Sequence, residues 1–299
     1  MWETALAFAI WGSYGSVLTA AHIDPALTAI ARSAGLGLLL ALASAAIGRV
    51  RGPREITAAI PWRSGALWLS GSVLLVDEVL YSVSAVSGPV AIIGLAYGCV
   101  PLLAPLLSRL AGTDRGETMR ARHWICLGLA FAGNAVVFRE LQTARIPFTM
   151  AAVFAFFAGL LFTLMPVCSA RLQQDGLGTW AVLKGQAAVA AILAVPLLAL
   201  LIAIGVVSLG GPGHDAVVRR SVEMGAVNAV VFTLTPFYLW YRGIRRCGVA
   251  RTSICAFAEP LIATLFSLVV LRDAPATPLL VGGAALVLGA IAVSTRSGE

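Results

Sequence analysis

Charged residues in this chain gather in short islands, and between the islands run apolar stretches of about 20 residues, the length a helix needs to cross a bilayer. In hydrocarbon the backbone must satisfy its own hydrogen bonds, and an α-helix does so within one segment. Reading from island to island predicts ten spans: 4–21, 27–48, 65–86, 89–110, 123–139, 148–170, 179–204, 222–242, 249–271 and 278–295. The composition agrees, with 59% hydrophobic and only 12% charged residues and a mean hydropathy of +0.91. By length, 299 residues would also accommodate two soluble domains, but this balance describes a chain whose main solvent is lipid.

The first apolar run, "MWETALAFAIWGSYGSVLTAA", has an acid, Glu3, and no basic residue before it, so it reads as a retained helix rather than a secretion signal. In a membrane protein a net charge of +7 reports orientation before it suggests nucleic acid. With the N-terminus inside, Arg49, Arg51, Arg54, Arg63, Arg109, Arg115, Arg120, Arg122, Arg171, Lys184, Arg242, Arg245, Arg246, Arg251 and Arg296 fall on the inner side. Arg139, Arg145, Arg219, Arg220 and Arg272 fall outside, which predicts both termini in the cytoplasm. Cys99, Cys126, Cys168, Cys247 and Cys255 show no CxxC spacing, and His22, His123 and His214 are far apart in loops, so neither a disulfide framework nor a metal site is expected.

A shift of 159 residues aligns "VAIIGLAYGCVPLLAPLLS" (90–108) with "VARTSICAFAEPLIATLFS" (249–267), placing Pro101 on Pro260. A mid-span proline removes a backbone hydrogen bond, so its recurrence at one register carries more weight than matches among Leu and Ala. The expected organisation is two five-helix repeats, 1–145 and 146–299. An odd number of spans per repeat inverts the second relative to the first.

The segment "LWYRGIRRCGVARTSICAFAEPLIATLFSLVVLRDAPATPLLVGGAALVLGAIAV" resembles the second repeat of the EamA-type drug/metabolite transporter superfamily. Its parts are Trp240-Tyr241-Arg242, Gly248 to Ser253, Glu259-Pro260, Arg272-Asp273 and Gly282 to Gly289. Trp11-Gly12, Pro101 and Gly128 to Gly133 resemble the first repeat. The "VDEVLYSVSAVSG" helix also looks like that of the YddG-type aromatic amino acid exporters. This resemblance implies a ten-helix carrier with a central cavity, exporting small metabolites, amino acids or drugs across a bacterial inner membrane. The pre-proline position departs from symmetry, with Val100 in the first half and Glu259 in the second.

An ionised side chain at mid-membrane costs about 2.5–3.5 kcal/mol, so each one is a functional candidate. Arg32, Asp77, Glu78 and Glu259 qualify. Adjacent helical residues diverge by about 100°, so Asp77 and Glu78 face different ways, with Tyr81 bordering both. Glu78, Tyr81 and Asp77 are candidate cavity residues: one acid is expected to bind a substrate ammonium or exchange a proton, Glu78 ahead of Asp77, with Asp77 favoured as the structural partner and Arg32 a candidate ion-pair partner of either acid. The bland alternative is that both acids only fix packing. Glu259 is expected to brace the kink at Pro260, and Pro101, Pro166, Pro236 and Pro260 to mark bends or hinges. Trp11, Tyr14, Tyr97, Phe232 and Trp240 are candidate stacking surfaces for a flat substrate, whereas Trp62, Trp124 and Trp180 sit at span ends as interfacial anchors. Asn228 is a candidate cavity amide, as are Asn134 and Gln186.

No phosphate-binding loop, metal-ligand motif or nucleophile elbow is present, so no cofactor and no enzymatic or ATP-driven activity is expected. The expected function is secondary export of amino acids or related metabolites by alternating access, with a small-molecule substrate, the lipid bilayer, no nucleic acid and a monomeric state. Two alternatives stay open: a carrier of drug-like cations, nucleotide sugars or lipid-linked intermediates, and a membrane-embedded lipid enzyme.

Overall fold

A computed structural model describes residues 1–21, 23–48, 59–88, 97, 100–114, 121, 124–129, 131–133, 136, 150–209, 214–266, 269, 285, 288 and 289. Described helices are α1 (Trp2–Ala20), α2 (Pro25–Gly48), α3 (Gly65–Ser87), α4 (Val100–Leu110), α5 (Met150–Phe162), α6 (Leu164–Gln174), α7 (Thr179–Ala203), α8 (His214–Asn228), α9 (Thr235–Ile254) and α10 (Ala258–Phe266). A wide π-helical turn, Ala229–Leu234, joins α8 to α9, and a tight turn, Cys255–Phe257, joins α9 to α10.

The expectation of ten spans in two inverted five-helix repeats is corrected. Among the described residues five helical stretches are long and apolar enough to cross a membrane: Pro25–Ala46, Gly65–Ser87, Met150–Gln174, Thr179–Ala203 and His214–Ala263. The expected spans 222–242 and 249–271 share the last of these, whose helical path continues through the basic turn. Expected span 89–110 is represented by the short helix Val100–Leu110, and 123–139 by the short apolar piece Trp124–Gly133. Span 278–295 and the repeat boundary at 145/146 lie outside the described residues, apart from residues 285, 288 and 289. α1 is rich in Gly, Ser, Thr and aromatic residues and is not among the five. The even number of crossings that put both termini on one side falls with the ten-span expectation. What stands is an all-α, multi-pass membrane fold.

The helices break where the sequence withdraws hydrogen-bond donors. Pro101, Pro166, Pro236 and Pro260 each lie within the first three residues of a described helix, where the missing N–H has no partner inside that helix and any carbonyl it would have met belongs to the preceding segment. Within α9, Gly248 has φ 76°, a left-handed conformation in which a side chain would be strained, and this splits the helix beyond its basic turn. Close packing positions the site. α1 lies against α9 and α10, and α2, α3 and α7 pack together, with α5 on the far side of α3. A Cβ at Gly12 would fall 2.6 Å from the carbonyl oxygen of Glu259, so the absence of a side chain there lets α10 approach α1.

Candidate functional site

Ten residues converge on one cavity: Trp11 and Tyr14 from α1, Arg32 from α2, Asp77, Glu78 and Tyr81 from α3, Tyr97, Phe162 at the end of α5, Phe237 from α9 and Glu259 from α10. In this conformation it encloses about 20 Å³, roughly the room one water molecule needs and far less than an amino acid. The side chains therefore leave little free room in the site.

Arg32 organises one side. It is 1% exposed, and its Nη1 forms an ion pair with Glu78 Oε2. Its Nε donates to Thr233 Oγ1, and its Nη2 donates to the backbone carbonyl of Phe232 at 2.7 Å. The guanidinium also lies over the Tyr14 ring, 4.3 Å from the centroid. That arrangement follows from the chain. Pro236 has no N–H to offer the carbonyl four residues earlier, that of Phe232, and the wide turn at 229–234 turns this acceptor toward other donors. Trp11 Nε1 takes the same oxygen at 2.8 Å.

The acids separate as their helical spacing requires. Asp77 and Glu78 are both buried, but Glu78, not Asp77, takes the arginine, while Asp77 Oδ1 accepts from the Tyr97 hydroxyl. Tyr81 stands between them, stacked on Tyr14 at 5.4 Å and edge-on to Tyr97 at 5.1 Å. Glu259 is 5% exposed, and among the described residues its carboxylate has neither a hydrogen bond nor an ion pair. Three carboxylates thus face one guanidinium, and that guanidinium is already engaged.

Aromatic rings close the remaining sides. Trp11 meets Phe237 at 4.8 Å and Phe162 at 5.7 Å, and Phe162 stacks on Trp240 at 5.2 Å.

Residues 149–295 match the EamA-like transporter family. Membership of the EamA-type drug/metabolite transporter superfamily is thereby supported over that part of the chain. No curated protein matches the sequence. Among solved structures, one described only as the crystal structure of a protein is 22% identical over 99% of this chain and 98% of its own, with a TM-score of 0.72, a likeness of fold alone.

The cavity joins the EamA-like segment to the rest of the chain. Phe162, Phe237 and Glu259 lie within the matched residues, and the other seven lining residues precede them. Of the candidates from sequence, Trp11, Tyr14, Asp77, Glu78, Tyr81 and Tyr97 line the cavity, as do Arg32 and Glu259, which were expected to have bracing roles. Phe232 contributes its carbonyl and a ring 5.0 Å from Tyr14 rather than a lining surface. Trp240 is buried one layer back, behind Phe162. Asn228 is fully buried away from the lining, and its amide has no partner among the described residues. Gln186 bonds between helices, accepting from Tyr241 at 2.6 Å and donating to Ser169 at 3.1 Å. Asn134, Cys99, His22 and His123 lie outside the described residues. Phe162 and Phe237 were missed because a phenylalanine in an apolar helix gives no contrast with its neighbours. The one available signal is Phe237's position directly after Pro236.

Proposed function

We propose that the protein is a secondary transporter of the EamA type that exports small amine-bearing metabolites, amino acids foremost, across the inner membrane by alternating access. The observation that carries this reading is the charge of the cavity. Asp77, Glu78 and Glu259 face Arg32 in a site walled by aromatic rings. Unbalanced carboxylates in such a place are costly unless a cation or a proton joins them. A substrate ammonium meets the acids, and the rings of Trp11, Tyr14, Tyr81 and Phe237 accept its apolar part. Loading a substrate requires the site to widen, and the prolines at the helix starts are where the helices part.

A second reading has its own support. Arg32 is already engaged by Glu78, Thr233, Phe232 and Tyr14, which draws its charge away from a substrate carboxylate and favours an organic cation as cargo.

Counterflow in proteoliposomes separates the two. Exchange of labelled phenylalanine or another amino acid supports the amino acid reading. Exchange confined to phenethylamine or a cationic dye supports the second, and exchange of neither refutes both.

A further inference from the structure

Away from the central site, a cavity of about 390 Å³ is lined by Thr179, Tyr238, Arg242, Arg245 and Arg246, a volume within the range of small-molecule pockets. Arg242, Arg245 and Arg246 are spaced i, i+3, i+4 on α9, which puts them on one helix face. Thr179 begins α7 across the cavity, and Trp180 beside it packs on Tyr238 at 4.5 Å. An aromatic pair below a row of arginines, at the end of an apolar stretch, is the arrangement expected at a membrane–water boundary.

A single carboxylate, Glu3 of α1, serves two of the arginines, at 3.3 Å from Arg242 and 3.2 Å from Arg246. One of those two positive charges therefore remains uncompensated by it. Arg242 is one-third exposed and also lies 5.7 Å from the Tyr238 ring, while Arg246 is more exposed and can turn its fork into the cavity. Planar guanidinium forks match the oxygens of a phosphate, and several converging on one cavity are the usual means of holding one.

We propose that this cavity is a phosphate-binding site at the membrane boundary, separate from the transport cavity. The phosphate can come from the headgroup of an anionic phospholipid or from a soluble phosphate ester; the chemistry recognised is the same.

The test uses the full chain in phosphatidylcholine nanodiscs. Melting temperature is followed as phosphatidylglycerol replaces part of the lipid, and separately as glycerol phosphate is added to all-phosphatidylcholine discs, with chloride matched for ionic strength. Stabilisation in the first arm identifies a lipid source, and stabilisation only in the second a soluble one. With about fivefold per arginine near a surface, R242Q/R246Q should weaken the apparent affinity roughly 25-fold. E3Q removes the competing carboxylate and should tighten it, and R219Q/R220Q on α8 should leave it unchanged. If the double variant does not fold, R246Q alone should show the fivefold loss. The proposal is overturned if neither phosphate source stabilises the protein, or if R219Q/R220Q loses the effect as fully as the variants at the site.

Discussion

Arg32 donates to the backbone carbonyl of Phe232 at 2.7 Å, across 200 residues of chain. The bond exists because Pro236 leaves that carbonyl without its ordinary helical donor. A side chain of α2 is thereby fastened to a helix interruption, and the same side chain holds Glu78 of α3. Movement of the wide turn and charge at Glu78 are mechanically linked through one guanidinium.

Pro236→Ala restores an N–H that competes with Arg32 and Trp11 for the Phe232 oxygen. The variant should fold, since alanine favours helix, but transport should fall about tenfold, equivalent to about 1.4 kcal/mol of lost transition-state stabilisation. Counterflow rates set against folded yield check this, and an unchanged rate would remove the linkage.

Glu78→Gln leaves Arg32 buried opposite a neutral amide. Breaking a buried pair from one side costs roughly 3–5 kcal/mol, whereas replacing both partners with apolar residues is often close to neutral. Folded yield and melting temperature should therefore drop for Glu78→Gln and recover in Arg32→Met/Glu78→Leu, while transport stays absent in both. A double variant no more stable than the single would contradict the pairing.

Tyr97→Phe strips Asp77 of its hydroxyl donor and should cost about 1–3 kcal/mol as a buried unsatisfied acceptor. In Tyr97→Phe/Asp77→Leu that acceptor is gone as well, so the two effects should be less than additive. A thermodynamic cycle from chemical or thermal unfolding in detergent measures the coupling.

Glu259→Gln removes a buried carboxylate that has no partner among the described residues, so the protein should become more stable, by on the order of 1–3 kcal/mol, while losing affinity for cationic substrates. Thermal shift with and without substrate reads both effects. A loss of stability would return Glu259 to a bracing role.

Gly12→Ala places a methyl group 2.6 Å from the Glu259 carbonyl and 2.7 Å from Ile262 Cβ. Overpacking of this kind costs about 1–3 kcal/mol and should push α10, with Glu259, out of the cavity. Thermal unfolding of Gly12→Ala beside the wild type measures the cost, and an unchanged melting temperature would show that α10 moves aside freely.

The helical, membrane-crossing character of the chain was legible because hydropathy reports it directly. The span count was not, because an island of charge does not mark where a helix ends: in the stretch from His214 to Ala263 the helix runs on past Arg242, Arg245 and Arg246 and is interrupted beyond them, at Gly248. The divergence of Asp77 and Glu78 followed from helical geometry alone. Which of them meets Arg32 depends on how α2 packs against α3, and no local pattern encodes that. Phe162 and Phe237 were invisible for a different reason, since their role comes from facing a cavity and not from being unlike their surroundings.

The aromatic frame also makes the protein its own optical reporter. Two of its seven tryptophans, Trp11 and Trp240, sit buried in the ring cluster around the cavity, whereas Trp2 is largely and Trp62, Trp68 and Trp124 are partly exposed. Opening the cavity changes the packing of the buried pair first, so its emission can be separated from that of the outer tryptophans by quenchers dissolved in the lipid or in the water. Occupancy of the site is then readable in the unlabelled, unmodified chain.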